Sequence, residues 1–106
     1  MIFTDYTTED GRNPFREWLA ELRDKRAAAR VQARLERLRV GNFGDAKSVG
    51  KGVSELRVSY GPGYRVYYAR HGEMVVVLLC GGDKSSQPGD IRDAQLYWAD
   101  FKRRLS

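Results

Sequence analysis

The residues whose types and spacing suit chemistry lie in two short alternating segments, Ser54–Tyr60 and Tyr64–Arg70, joined by Gly61-Pro62-Gly63. A strand's period of two places Arg57, Ser59, Arg65 and Tyr67 on one face and Leu56, Val58, Val66 and Tyr68 on the other. Pairing Tyr60 with Tyr64 across the turn sets Ser59 against Arg65, Val58 against Val66 and Arg57 against Tyr67. A guanidinium fork binds phosphate through two parallel hydrogen bonds, and a phenol can stack on a base or bond a phosphate. The chemistry this face suggests is anion recognition. The ordinary alternative is that its arginines do no more than pair with Glu55 and Glu73.

A second group follows in Gly81-Gly82-Asp83-Lys84-Ser85-Ser86-Gln87. It offers an ammonium, a carboxylate, two hydroxyls and the Gln87 amide, with two glycines that permit close backbone approach to a ligand. Its glycine-to-lysine spacing is not that of a phosphate-binding P-loop. Gly41-Asn42-Phe43-Gly44-Asp45 with Lys47 and Lys51 forms another basic segment, suited to clamping a nucleic-acid backbone or to being plain surface. His71 is the single histidine and is expected in a turn, which speaks against a Ser-His-Asp triad, and with Cys80 the single cysteine there is no multi-histidine or multi-thiolate metal site. No metal or cofactor is expected. Cys80 ends an apolar run and reads as a small hydrophobe.

These groups need a scaffold. Met1–Tyr6 reads as a strand. Asn13-Pro14 is a helix start, and Phe15, Trp18, Leu19 and Leu22 then make one apolar face. Asp24 can cap a second helix running to Val40, stopped by Gly41, with Ala28, Val31, Leu35 and Leu38 along its apolar line. The short joint at Arg23–Asp24 makes the two helices a hairpin. Lys25, Arg26, Arg30, Arg34, Arg37 and Arg39 leave the second helix basic on its outer side, either as a solvated face or as a contact for an acidic partner. Gly41–Gly52 reads as a loop and Gly81–Gly89 as another. His71-Gly72 suits a hairpin turn, and Met74–Cys80, apolar throughout, reads as a central strand covered on both faces. Asp90 can cap a last helix carrying Ile91, Ala94, Trp98, Phe101 and Leu105; Trp18 and Trp98 both sit on apolar stripes. The order β-α-α-β-β-β-α predicts an α+β fold, a helical hairpin packed on a mainly antiparallel sheet.

The 106 residues suit one domain, 1–106, and 42% hydrophobic content speaks against general disorder. The 19 Lys and Arg against 14 Asp and Glu leave a net charge of +5, which suits an anionic partner. The longest apolar run, seven residues, is far short of the ~18–20 a membrane span needs. A cytoplasmic protein away from membranes is expected.

The words Phe15-Arg16-Glu17-Trp18-Leu19, Arg34-Leu35, Gly41-Asn42-Phe43-Gly44-Asp45, Gly52-Val53-Ser54-Glu55-Leu56-Arg57, Gly61-Pro62-Gly63-Tyr64-Arg65-Val66-Tyr67-Tyr68 and Leu79-Cys80-Gly81-Gly82-Asp83-Lys84 occur in this order. In combination they resemble the RelE/ParE superfamily, most closely its HigB-like branch of addiction-module killer proteins, over essentially the whole chain. The resemblance implies a microbial-ribonuclease-like fold and a toxin of a bacterial type II toxin–antitoxin module. It implies metal-free endonucleolytic cleavage of mRNA, usually on the ribosome, through attack of a ribose 2′-hydroxyl on the adjacent phosphate. Arg65, in the Tyr-Arg step, then becomes the phosphate stabiliser and Arg57 a second. The stretch GGDKSSQ lacks the histidine that related ribonuclease toxins commonly carry, leaving Lys84 and Asp83, with Tyr67 behind them, as candidate acid and base. Lys47, Lys51, Ser59 and Gln87 are candidate RNA contacts. The resemblance also implies a cognate antitoxin of the helix-turn-helix Xre type, with Arg26, Arg30, Arg34 and Arg37 as a candidate surface for it. Two other readings share the fold: a ParE-like toxin that binds DNA gyrase without cutting RNA, and a decayed toxin that survives as an antitoxin partner. The basic sheet face favours RNA over the first.

Overall fold

The computed structural model describes residues 1–105. Its elements are β1 (Ile2–Asp5), α1 (Pro14–Glu21), α2 (Lys25–Arg39), β2 (Ala46–Gly50), β3 (Val53–Val58), β4 (Tyr64–His71), β5 (Val75–Asp83), a 3-10 turn (Lys84–Ser86) and α3 (Gln87–Leu105). The five strands form one sheet in the order β1-β5-β4-β3-β2, with β1 parallel to β5 and the other pairs antiparallel. The fold is α+β, as the sequence predicts.

Local chemistry explains the helical hairpin. The Asn13 side chain accepts the Arg16 N–H at 3.0 Å and Pro14 opens α1; the Asp24 carboxylate accepts the Arg26 and Ala27 N–H groups and opens α2. Gly41, at φ +88°, ends it. Phe15, Val31, Leu35 and Leu38 then pack against Leu56, Val58, Val66, Tyr68, Val76 and Leu78 on one face of the sheet. Helix α3 covers the other face, placing Ala94 and Trp98 over Val53, Tyr67, Ala69, Val77 and Leu79. With helices on both faces, β5 is apolar at successive positions because each side of it meets a core.

The structure corrects several expectations. Residues 46–50 are an edge strand, not loop; Ala-Lys-Ser-Val-Gly carries no alternation, and it is ladder bonding to β3, across a bulge at Ser48–Gly50, that makes it a strand. The β3–β4 register differs by two residues: Val58 faces Tyr64, Arg57 faces Arg65, Leu56 faces Val66 and Glu55 faces Tyr67. Gly61 and Gly63 adopt positive φ in a turn longer than the three residues expected. A two-residue slip preserves every side chain's face. The 81–89 segment is not a loop: β5 runs through Gly81–Asp83, and α3 starts at Gln87, with Asp90 inside its first turn. Asp83 is the cap instead, holding the 3-10 turn. Ala27, not Ala28, is the buried alanine of α2, and Leu105 is exposed.

A bulge in β5 matters for the site. Tyr67 pairs with Cys80 but Tyr68 pairs with Leu78, so Leu79 is the extra residue and the strand's phase flips. Gly81 consequently faces Trp18 of α1, while Gly82 faces Asp90 and Ser86 of α3. In both places any Cβ would collide with a neighbouring side chain, so glycine is required for close packing rather than for ligand approach.

Candidate functional site

The face carrying Arg57 and Arg65 is organised by a residue that the arginine-centred reading treats only as an ordinary ion-pair partner. Glu55 has no solvent exposure. One carboxylate oxygen accepts Arg65 Nε–H at 3.1 Å and the Gln87 side-chain N–H at 2.6 Å, and the other accepts Arg57 Nε–H at 3.2 Å. A carboxylate without water is stable only when charged donors surround it, and here two guanidiniums and an amide do so. Pairing with Arg57 is a neighbour effect two residues along β3; pairing with Arg65 is a cross-strand diagonal. The first turn of α3, which brings Gln87, closes the third side.

The two arginines differ in freedom. Arg65 also donates Nη1–H to the Gly63 carbonyl at 2.8 Å, and its side chain is 12% exposed. Arg57 keeps 35% of its side chain exposed, with Nη1 at 3.9 Å from Asp45. Lys84 is exposed and lies alongside: a Cβ on Gly63 would stand 3.3 Å from Arg65 Nη1 and 3.7 Å from Lys84 Cβ. Lys47 is exposed and pairs in register with Glu55, so it projects from the same face. Arg57, Arg65, Lys84, Lys47 and Gln87 therefore cluster at the end of the sheet where α3 begins, and the positive end of that helix adds to their field.

Tyr67 and Asp83 adjoin this cluster, whereas Lys51 and Ser59 fall elsewhere. Tyr67 is on the expected face but fully buried beneath α3; its hydroxyl has no partner, and burial raises its pKa far above the usual phenol range. It cannot stack on a base. Asp83 accepts the Ser85 N–H at 2.8 Å and hydroxyl at 2.5 Å, bonds that hold its carboxyl below the usual range. A carboxyl so held is a cap, not a proton donor near neutrality. Lys51 sits in the β2–β3 turn at φ +55°, at the opposite end of β3 from Arg57. Ser59 lies beyond β3 and lines a different feature.

That feature is a cleft of about 670 Å³ beside α2. Arg26, Arg30, Arg34 and Arg37, spaced as one helical stripe, form its wall with Arg57, and Asp45 is its one carboxylate; Ala29 and Ala33 leave the helix side low. Arg34 departs from the expected exposed stripe. It is 7% exposed, donating to the carbonyls of Arg57 at 3.3 Å and Phe43 at 3.2 Å, with its guanidinium against Gly44. Burial, then the charge of Arg37, pulls its pKa down.

Cys80 is buried, and burial raises its thiol pKa steeply, so it is an inert core residue as expected. Among the described residues no three of His, Cys, Asp and Glu stand together as metal ligands, and no helix is long and apolar enough to cross a membrane.

A sheet covered by a helical hairpin on one side, with arginines held by a buried glutamate on the other, defines an α+β protein with a basic face. Residues 17–102 match the family described as Phage derived protein Gp49-like (DUF891). A relative described as an uncharacterized protein, from Haemophilus influenzae (strain ATCC 51907 / DSM 11121 / KW20 / Rd), is 52% identical over 82 residues, covering 77% of this chain and 83% of that protein. The chain belongs to the Gp49-like family, a RelE/ParE-like toxin family associated with toxin–antitoxin modules. An antitoxin is accordingly its partner in general terms.

Proposed function

We propose that this chain is a metal-free endoribonuclease toxin of the HigB-like kind, cutting mRNA on the ribosome and neutralised by a helix-turn-helix antitoxin of the Xre type. The observation that supports it is the Glu55-centred cluster: two guanidiniums held rigid on one sheet face, with an exposed ammonium beside them.

In such a reaction the ribose 2′-oxygen attacks the adjacent phosphorus, the bond from phosphorus to the 5′-oxygen breaks, and a 2′,3′-cyclic phosphate remains. Negative charge grows on the phosphorane oxygens, and preorganised donors lower that barrier because they need not reorient. Arg57, the more open guanidinium, and Arg65 meet that charge. Lys84 gives a proton to the departing 5′-oxygen, and the 2′-hydroxyl proton leaves to water. Lys47 and Gln87 flank the path of the strand. Glu55 is a positioning residue: buried, it holds both arginines in place.

The test is induction of the chain in cells with mapping of new mRNA ends, alongside Arg57→Ala and Arg65→Ala. Each variant should lower cleavage on the order of 10²-fold, the typical effect of removing one transition-state donor. Cleavage by purified protein and ribosomes that persists unchanged in both variants overturns the assignment.

A further inference from the structure

Arg57 belongs to two places at once. Its Nε–H bonds Glu55 at 3.2 Å, inside the candidate site, while its Nη1 stands 3.9 Å from Asp45 and the residue lines the cleft beside α2. Strand β2 begins opposite Leu56, so β3 has no neighbouring strand beyond that point, and the two basic regions meet round this open edge. The charge of the cleft is unbalanced: five arginines face one carboxylate, Asp45. Arg12, Arg16, Arg39, Arg103 and Arg104 each close an ion pair elsewhere on the surface. Among the described residues no carboxylate closes on Arg26, Arg30, Arg34 or Arg37. Arg34 is more than nine-tenths buried, and its Nη1 has no hydrogen-bond partner. A buried guanidinium met only by neutral carbonyls is costly, and an anion brought alongside lowers that cost.

We infer that the cleft is a second binding site for single-stranded RNA, holding the phosphate backbone of the strand as it runs on from the Glu55 cluster over Arg57 to Arg30 and Arg37. The inference rests on the function proposed above for its substrate class and adds where the rest of the strand lies. Three features favour an RNA backbone. Continuity through Arg57 is the first: a strand seated at the Glu55 cluster meets the cleft without leaving basic surface, whereas an acidic peptide has no reason to span both. Spacing is the second. Four residues along an α-helix rise about 6 Å, so Arg26, Arg30 and Arg34 follow one another at about the step between neighbouring phosphates of an extended strand. Guanidinium forks suit those phosphates, and Arg34 adds its charge from beneath. The lining is the third. Ala29 and Ala33 leave the helix side low, and no aromatic side chain lines the cleft; Tyr60 is already covered by Arg30 at 4.9 Å, and its hydroxyl bonds Asp24 at 2.9 Å. A wall of guanidiniums without a stacking platform grips phosphates and leaves the bases unread.

The experiment measures binding of fluorescein-labelled oligouridylates of four and nine nucleotides to the full chain by fluorescence anisotropy. Every ribose carries a 2′-O-methyl group, which removes the attacking hydroxyl, so binding is read without cleavage. The nonamer should bind the parent at least 10-fold more tightly than the tetramer. Arg30→Glu/Arg37→Glu, which alters only exposed positions, should remove that gain. It should also lower the slope of log affinity against log salt by about 1.4, the value for two lost single-strand phosphate contacts. Arg12→Glu/Arg39→Glu changes the net charge equally at exposed positions outside the cleft and should leave nonamer affinity within about threefold. Circular dichroism checks that both variants fold. The inference is overturned if the nonamer binds no more tightly than the tetramer, or if the two double variants weaken it alike. It is equally overturned if the cleft reversal spares the nonamer but abolishes binding of a labelled glutamate-rich peptide, which would make the cleft a peptide surface. The cleavage itself is judged separately by Arg57→Ala and Arg65→Ala on ribosomes, so it can stand when this inference falls; binding of neither oligonucleotide overturns both.

Discussion

The two arginine-bearing regions of this protein treat the same side chain in opposite ways. On the α3 side, Arg57 and Arg65 share the buried carboxylate of Glu55, and Gln87 completes its coordination. On the α2 side, Arg34 is buried against backbone carbonyls with no carboxylate closing on it, and its stripe neighbours line an open cleft. The first arrangement is internally neutralised and rigid, which suits a site that must present fixed donors to a short-lived charge. The second is charged and unfilled, which suits a surface completed by a partner. Arg57 joins the two, since its side chain bonds Glu55 and also lines the cleft.

The contrast is sharpest when each centre is broken. Glu55→Ala leaves two guanidiniums facing one another without an anion and should cost about 3 kcal/mol or more, because removing one partner of a buried ion pair strands the other. Urea denaturation should show the lowered midpoint; an unchanged midpoint would mean that the cluster is not held by that carboxylate. Arg34→Met, by contrast, removes a buried charge along with its two neutral hydrogen bonds, terms that oppose each other, so stability should stay within about 1 kcal/mol of the parent. A loss as large as that of Glu55→Ala would erase the distinction drawn between the regions. The smallest effect is expected at Tyr67. Its buried hydroxyl lacks a partner, so Tyr67→Phe should stabilise the protein by up to about 1 kcal/mol and leave RNA cleavage unchanged. Loss of cleavage with the fold intact would return Tyr67 to the reacting site.

The faces of the sheet were legible in the sequence because a period of two survives any even slip: Arg57 and Arg65 share a face whether Arg57 opposes Tyr67 or Arg65. The helix starts at Asn13-Pro14 and Asp24 were legible because capping is a local bond between neighbours. Strand β2 was not, since nothing in Ala-Lys-Ser-Val-Gly announces it and its pairing is supplied by β3. Tyr67 illustrates the other kind of failure. Alternation places it beside Arg65, but whether that face is open or covered depends on α3, which begins twenty residues further on.

The sequence by itself thus determined the starts of the two hairpin helices, the two faces of the central hairpin and the stripe of Arg26, Arg30, Arg34 and Arg37 along α2, because these follow from spacing within one segment. Only the tertiary structure decided which charges are neutralised. Glu55 became the centre of the candidate site when β4 and the first turn of α3 brought Arg65 and Gln87 to it, and Arg34 became a buried cation when the β2 approach folded Phe43 and Gly44 over it. The cost of a charge depends on what surrounds it in space, and residues 9 to 32 positions apart in the chain supply those surroundings.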